Sequence, residues 1–367
     1  MKRESRFVTY CLQGLNGMYL RSQGVFVASR RLIDGRLVNV RDRDSEFKFT
    51  MNALMGLHRA RAAGSEVFLD IESIFHRLAE KVSEQAGSPE NIAATVWAGS
   101  SIGTEVPKEA LTLFEAVVDR AACRPFLSGQ GLAWTIAASI YIGEGYIDKA
   151  LELAKCAVER YIHPCSSLVR HTPSGLRRDW ASFAASCYMA YAFLLLGRKT
   201  ANEEAKQVGL KIARALAGLQ GPQGQWAWFY HVPSGRVADY YPVYSVHQHA
   251  MAPFFLLEAF DQGYYEFKEP LLRGFRWVFG ENELRLGMVD NTHHVIWRSV
   301  TRREHFAKLG RLARAIGVTY AGLSSGIEVH DMLCINKECR SYELGWALWA
   351  FAGRRGFDEM LNNPVFA

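Results

Sequence analysis

The chain has 367 residues, of which 49 % are hydrophobic and 22 % charged, and its formal net charge is +6. This composition is ordinary for a globular protein, and it supplies enough apolar material for a core that needs no disulfide or metal to hold it. Because the basic residues are scattered or paired with acids, as in residues 41–48 (RDRDSEFK), the charge disfavours nucleic acid as a partner.

The seven cysteines are irregularly spaced and include no CxxC pair, so we expect free thiols in a reducing compartment. No residue spacing requires a metal, and we expect neither a metal nor another cofactor. The first twenty residues contain no continuous apolar stretch and no small-residue cleavage site. This argues against a secretory signal, and we expect a soluble, cytoplasmic protein.

Helical periodicity dominates residues 45–217, where Gly, Pro and Ser separate a series of amphipathic segments. The first segment, 45–64, begins with Ser45 as a predicted N-cap and ends on Gly64. Asp70 is the predicted N-cap of the next helix, and Ser88 before Pro89 caps the third. The series continues to residue 217 and resumes after residue 245.

Nearly charge-free helices alternate with helices that carry a charged face. Residues 131–143 (GLAWTIAASIYIG) are followed by 147–162 (IDKALELAKCAVERYI), and residues 180–197 are followed by 202–218. Two concentric layers produce this alternation, because inner helices are buried on all sides and outer helices on one. Residues 180–197 are uncharged over eighteen positions, but their Ser and Tyr residues favour a buried helix over a membrane span.

Two long connections, 218–245 and 280–303, are rich in aromatic, Gly and polar residues and show some period-2 character. Long connections in compact domains are usually functional or disordered, and these are too aromatic for disorder. We therefore expect short strands or long ordered loops at one mouth of a helical barrel. No composition break divides the chain, which predicts a single domain over 1–367, with helical hairpins over about 45–355 and a packed N-terminal segment over 1–44.

Gln220, Gly224 and Trp226 in LQGPQGQWAW resemble the Q…GxW punctuation at helix ends in α/α toroids. Residues 271–290 (LLRGFRWVFGENELRLGMVD) and 336–354 (NKECRSYELGWALWAFAGR) are similar to toroid proteins that accompany bacterial polysaccharide and glycosyltransferase genes. The resemblance implies an all-α fold, the (α/α)6 toroid of six-hairpin glycosidases, polysaccharide lyases and sugar epimerases, which terpenoid cyclases share. It assigns no catalytic residue, since a fold by itself implies no chemistry.

Acid–base residues are concentrated in the two long connections. Glycoside hydrolysis needs a protonated acid and a second carboxylate, whereas lyase or epimerase chemistry can use a Tyr phenol or a neutral His. Each of these side chains also has a structural interpretation, as a cap, a core residue or a solvated acid. The candidate catalytic residues are Asp239, Tyr241, Tyr244, His247, His249 and Glu283.

Large aromatic faces and fork-like arginines suit sugar rings and uronate groups, respectively. The alternatives are an aromatic plug closing the barrel and, for the polar residues, capping and ion pairing. The candidate substrate-binding residues are Trp226, Trp228, Tyr230, Tyr240, Asp290, Arg298, Glu338, Arg340 and Tyr342.

The sequence thus predicts a carbohydrate-active enzyme that acts on an oligosaccharide or polysaccharide in bacterial polysaccharide metabolism. Glycoside hydrolysis and uronate lyase or epimerase chemistry remain open, and association with glycosyltransferase machinery is a possible partnership. One alternative is a terpenoid-cyclase-like enzyme, although the chain has no DxDD or DDxxD cluster. The other is a non-catalytic glycan-binding or assembly protein.

Overall fold

The computed structural model describes residues 4–175, 177–303, 310, 313, 316–317, 326–328 and 330–367. The first three residues of the predicted N-terminal segment and most of 304–325 lie outside the described residues. The described helices are α1 Arg6–Asn16, α2 Arg43–Ala62, α3 Ile71–Ala79, α4 Pro89–Ile102, α5 Lys108–Cys123, α6 Gly129–Ile142, α7 Ile147–Arg160, α8 Phe183–Thr200, α9 Glu203–Gly218, α10 Ala252–Asp261, α11 Lys268–Phe279, α12 Ser341–Phe351 and α13 Asp358–Leu361.

Short strands occupy the N-terminal segment and the two long connections, as predicted for the connections, and also residues 180–182 and 333–340, where no strand was predicted. They are β1 Tyr19–Leu20, β2 Val25–Phe26, β3 Ser29–Ile33, β4 Arg36–Val40, β5 Trp180–Ser182, β6 Phe229–His231, β7 Arg236–Asp239, β8 Val243–Tyr244, β9 Val289–Asp290, β10 Val295–Ile296, β11 Ser299–Arg302, β12 Leu333–Asn336 and β13 Glu338–Arg340. They form three three-stranded sheets, in the orders β5–β6–β7, β12–β11–β8 and β13–β3–β4, and two hairpins.

Contacts between Cα atoms group the chain into two compact units. The first unit comprises Met1–Val117, Met288–Arg298 and Lys337–Ala367, and the second comprises Val118–Gly287 and Ser299–Asn336. The prediction of a single domain stays a prediction.

Local capping signals set several helix starts. Asp70 accepts from the backbone N–H of Ser73, and Ser88 accepts from that of Asn91, as predicted. The predicted Ser45 cap is wrong, because the N-cap of α2 is Asp42, three residues earlier, and the helix begins at Arg43. The sequence analysis also did not predict α1, a helix over Arg6–Asn16 with Ser5 as its N-cap.

In the second unit, α6, α8 and α10 are the inner helices. Nearly every side chain of α6 and α8 is buried, whereas α7 and α9 bury one face only, which confirms the predicted alternation. Residues near the start of one inner helix contact residues near the start of its neighbour, and later residues contact later ones. These helices are therefore parallel and begin at the same end. The contacts are Trp134–Tyr188 and Tyr141–Tyr191 between α6 and α8, and Phe183–His247, Tyr188–Phe254 and Arg198–Glu258 between α8 and the helical segment that contains α10.

In the first unit, α2 and α12 lie in backbone contact. A Cβ atom on Gly345 would stand 2.7 Å from the Cα of Ala53, and the ring of Tyr342 lies 4.5 Å from that of Phe49. The order of these contacts shows that α2 and α12 are also parallel. Trp97 of α4 contacts Trp346 of α12, with ring centroids 5.6 Å apart, which completes a layer of three buried helices.

Candidate active site

Glu283 follows α11 and lies almost completely enclosed in the second unit. The indole Nε1 of Trp277 donates to its Oε2 at 2.8 Å, and the phenol of Tyr241 donates to its Oε1 at 3.4 Å. Burial raises the pKa of Glu283, although its hydrogen bonds oppose the shift. The carboxyl group is therefore biased toward the protonated form, which is what a general acid requires.

Tyr241 joins Glu283 to a second acid, Glu328. Its phenol oxygen accepts the backbone N–H of Glu328, and burial followed by the charge of Glu283 raises its pKa well above the usual value. The side chain of Glu328 is 29 % exposed, so this carboxylate is accessible to solvent. A buried acid and a partly exposed one thus lie near a single phenol.

Arg302 organises the remaining charges. Its guanidinium donates to both oxygens of Asp239, at 2.8 and 3.1 Å, and contacts Glu328 at 3.0 Å. It also lies 5.0 Å from the ring centroid of Tyr241. Asp239, Tyr241, Glu283, Arg302 and Glu328 together are called the acid cluster below.

Two sheets bring the acid cluster together. Asp239 is the last residue of β7, and Arg302 is the last residue of β11, which pairs with β8 through Val300 and Val243. The chain between β7 and β8 carries Tyr241, so the strand register positions three members of the cluster. β5 leads directly into α8, and β8 is followed by the helical turn that starts α10, which places both sheets at the end where inner helices begin.

Four partly buried aromatic residues form a row beside this cluster. Trp180 stacks on Phe229 at 5.6 Å, Phe229 on Trp228 at 6.5 Å, and Trp228 meets Tyr244 edge-on at 5.4 Å. The register pairs Phe229 with Asp239, and the N–H of Trp228 donates to the carbonyl of Tyr240, which ties the row to the acid cluster. The rings cover much of one another's faces, so the row is partly a packed plug.

Polar groups of both charges surround Trp180 at one end of the row. The ring of His231 lies 4.8 Å from that of Trp180, and Nε of Arg170 lies 3.7 Å from Oδ1 of Asp179. Burial lowers the pKa of His163 and of His231, which keeps both rings neutral near pH 7. Arg170 and the nearby Arg178 make this a cationic patch.

In the first unit, the structure brings together four predicted substrate-binding residues at the start of α12. Glu338 accepts from Arg298 and Arg340 at 2.9 Å each, and Arg31 lies 3.4 Å away. Tyr342 packs on Phe49. Three arginines surround the single carboxylate of Glu338, which leaves two positive charges that it does not neutralise.

The other predicted residues have different surroundings. Trp226, Tyr230, His247 and His249 are core residues, 0 to 3 % exposed. Burial lowers the pKa of His249 to about 3, so that ring is neutral at physiological pH. Asp290 binds His293 in the β9–β10 hairpin of the first unit. Tyr240 and Tyr244 are partly exposed, as is Trp228.

Sequence reasoning missed Arg302, Glu328 and Trp180 as site residues. Arg302 comes two residues after the period-2 stretch 293–300, and Trp180 is the first residue of the charge-free segment 180–197, so each had only a weak indication in the sequence. Glu328 had none, because a single acid in a Gly- and Ser-rich stretch is ordinarily solvated.

The described part of the chain offers neither a metal site nor a membrane-spanning helix. No group of three or more His, Cys, Asp or Glu side chains there is arranged to hold a metal ion. None of the helices described is both long and apolar enough to cross a bilayer, and residues 183–200 form the buried helix that was predicted.

No family model matches the sequence, and no curated protein matches it. The fold, however, is similar to several solved structures. The unsaturated glucuronyl hydrolase responsible for the degradation of glycosaminoglycan from a Bacillus species has a TM-score of 0.57 at 13 % identity, covering 96 % of each chain. An unsaturated glucuronyl hydrolase specific for heparin has a TM-score of 0.56 at 12 % identity, covering 94 % of each chain.

A possible member of the GH105 family from Salmonella enterica is also similar, with a TM-score of 0.57 at 12 % identity, covering 95 % of this chain and 92 % of that chain. These similarities confirm the predicted fold class, an α/α toroid of the six-hairpin glycosidase type. They give no support to the expected association with polysaccharide biosynthesis.

Proposed function

We propose that the protein is a glycoside hydrolase that acts on an acidic oligosaccharide, with the acid cluster as its catalytic centre. The observation that carries the proposal is the pair of unlike carboxyl groups near the phenol of Tyr241. Glu283 is enclosed and biased toward the protonated form, whereas Glu328 is partly exposed and held by Arg302. Two acids whose surroundings divide them into a proton donor and a base are the requirement for glycoside cleavage.

Each residue has a definite task in this mechanism. Glu283 gives its proton to the glycosidic oxygen as the bond to the sugar carbon breaks, and the leaving sugar departs as an alcohol. Glu328 accepts a proton from the water that attacks the same carbon. Arg302 orients Glu328, while Asp239 neutralises Arg302 and fixes its position.

Hydrolysis fits these residues better than Tyr- or His-based elimination. A phenol whose pKa is well above the usual value is a poor base at neutral pH, and this is the situation of Tyr241. The two histidines considered for that chemistry, His247 and His249, are both buried. A terpenoid-cyclase reaction would require an acidic initiator motif, and the sequence contains none.

The cationic patch around Trp180 supports an acidic substrate. Trp180, on β5, is two strands away from Asp239 and two residues further along the sheet. Strand spacings place their Cα atoms roughly 12 Å apart, a distance that two linked sugar rings span. The similar structures include enzymes named for glucuronyl substrates, which agrees with this charge. Association with glycosyltransferase machinery has no such support.

The test compares two glutamates that are two residues apart. Glu283→Gln should lower kcat on a cleavable acidic oligosaccharide about 100-fold or more, the usual contribution of a general acid. Glu281→Gln is the matched control, since Glu281 is exposed and should be dispensable. Equal activity of the two variants across acidic and neutral oligosaccharides would show that the acid cluster is not catalytic.

A further inference from the structure

Glu343 is the third residue of α12, and its side chain is completely buried in the first unit. Neither carboxyl oxygen has a hydrogen-bond partner among the described residues. Buried polar atoms are nearly always hydrogen-bonded, and an ionised carboxylate without a partner is especially unfavourable. The proposed hydrolysis uses only the second unit and does not explain this group.

The packing around Glu343 is tight and largely apolar on the side of α2. Gly345 lies against the backbone of Ala53, and the ring of Tyr342 lies on that of Phe49. A Cβ atom on Gly345 would stand 2.7 Å from the Cα of Ala53, so the two helices cannot approach further. Glu343 therefore lies in a stretch of α12 whose neighbouring residues pack closely against α2.

Three titratable or charged groups face Glu343 from the other side. Arg298 and Glu338 act on it electrostatically, and Cys339 lies beside it on β13. Cys339 is itself buried near Cys11 of α1 and Arg30 of β3. The distribution of donors is uneven. Glu338 has Arg298, Arg340 and Arg31, while Glu343 has none.

We propose that Glu343 and Glu338 form a proton-operated switch that shares Arg298. In the first state of this switch Glu343 carries a proton, and Arg298 donates to Glu338, as it does in the structure. When Glu343 releases its proton to solvent, Arg298 moves to the new carboxylate, while Arg340 and Arg31 stay with Glu338. No covalent bond other than the O–H bond breaks.

The consequence is local and concerns β13. The hydrogen bond from Arg298 ties the segment Met288–Arg298 to Glu338, the first residue of that strand. When Arg298 moves to Glu343, this hydrogen bond is lost. The net charge around the predicted substrate-binding arginines changes as well, because Glu343 is now ionised. Burial, together with the charge of Glu338 and against that of Arg298, raises the pKa of Glu343 to about 8, which sets the pH at which the switch operates.

Infrared spectroscopy of the full chain without substrate tests the first half of the proposal. The C=O band of protonated carboxyl groups should be stronger in the wild type than in Glu343→Gln below pH 8, and this difference should disappear as pH rises through about 8. If Glu343→Gln does not fold, carbon-13 labelling of glutamate in a Glu283→Gln chain, which lacks the other buried glutamic acid discussed above, identifies the remaining band by its shift. A wild-type spectrum with no such band would overturn the proposal.

Hydrogen exchange tests the movement of Arg298. After correction for intrinsic exchange, the amides of Glu338–Arg340 should lose protection between about pH 6.5 and about pH 9.5 in the wild type and not in Glu343→Gln. Glu281→Gln, in the other unit, should behave as the wild type. A loss of protection that is the same in wild type and Glu343→Gln would refute the switch. None of these measurements depends on whether the protein hydrolyses glycans.

Discussion

Arg302 and Asp239 form a two-fold hydrogen-bonded ion pair, with N–O distances of 2.8 and 3.1 Å, and both side chains are at most 5 % exposed. The pair joins the end of β7 to the end of β11. The same guanidinium also contacts Glu328. Asp239 therefore fixes the position of Glu328 through Arg302, without any need to contact a substrate itself. Asp239 is in this sense a positioning residue for the acid cluster.

Asp239→Asn should destabilise the protein by about 3 kcal/mol, because it leaves the buried guanidinium of Arg302 with only one carboxylate partner. Urea unfolding followed by circular dichroism measures this change. The variant should also lower kcat more than it raises KM, since it displaces Glu328 rather than a binding group.

A surface ion pair in the same unit provides the control. Arg214 and Glu266 are 2.9 Å apart and about half exposed, so Glu266→Gln should change stability by less than about 1 kcal/mol. A similar effect of Asp239→Asn and Glu266→Gln would contradict the assignment of a buried, organising pair.

Tyr241→Phe should move the alkaline limit of activity to higher pH. The phenol of Tyr241 donates to Glu283, and this hydrogen bond lowers the pKa of that carboxyl group against the raising effect of burial. Its removal raises the pKa of Glu283 further, so the general acid keeps its proton to higher pH. The measurement is kcat/KM against pH, with Tyr265→Phe, an exposed tyrosine, as control. A limit that stays in place or moves to lower pH would argue against Glu283 as the proton donor.

Arg170→Gln should weaken the binding of acidic oligosaccharides selectively. A hydrogen bond to a charged group contributes about 1.5–3 kcal/mol, which corresponds to a rise in KM of about tenfold or more. Neutral oligosaccharides of the same length should be unaffected. Lys199→Gln removes an equal charge at the far end of α8 and serves as the control. If both variants alter KM equally, the cationic patch around Trp180 does not bind the acidic group.

Gly345→Ala should destabilise the first unit by about 3 kcal/mol. The added methyl group would stand 2.7 Å from the Cα of Ala53 and 2.9 Å from the carbonyl oxygen of Asn52, and backbone atoms cannot yield as a side chain does. Gly87→Ala is the matched control, because no atom lies within 4 Å of its added Cβ. Urea unfolding of both variants measures the difference, and a stable Gly345→Ala chain would refute the close contact of α2 and α12.

Much of the fold follows from interactions that are short in sequence. The caps at Asp70 and Ser88 depend on a side chain and a backbone N–H three residues away, so they can be predicted from a few letters. The same holds for the apolar period that separates α6 and α8 from α7 and α9. The N-cap of α2 was misplaced by three residues, because Ser and Asp are both favoured at N-caps and the sequence context does not rank Ser45 against Asp42.

The candidate site was predictable only in part. The sequence indicated Asp239, Tyr241 and Glu283, because acids and phenols concentrated in a long aromatic connection are unusual. It could not separate Trp228, which is partly exposed, from Trp226, which is in the core two residues earlier. Burial of a side chain in a connection depends on what packs over it, and that information is not local.

By itself, the sequence determined the helical hairpins, their inner and outer layers, and the two connections that carry the candidate acids. Only the tertiary structure decided that Arg302 holds Asp239 from 63 residues away, that Glu328 and Glu283 both lie near Tyr241, and that His249 is a core residue. The physical reason is the range of the interactions. Helix caps and periodicity act within one or two turns, whereas ion pairing and burial join residues that the chain brings together only when it folds.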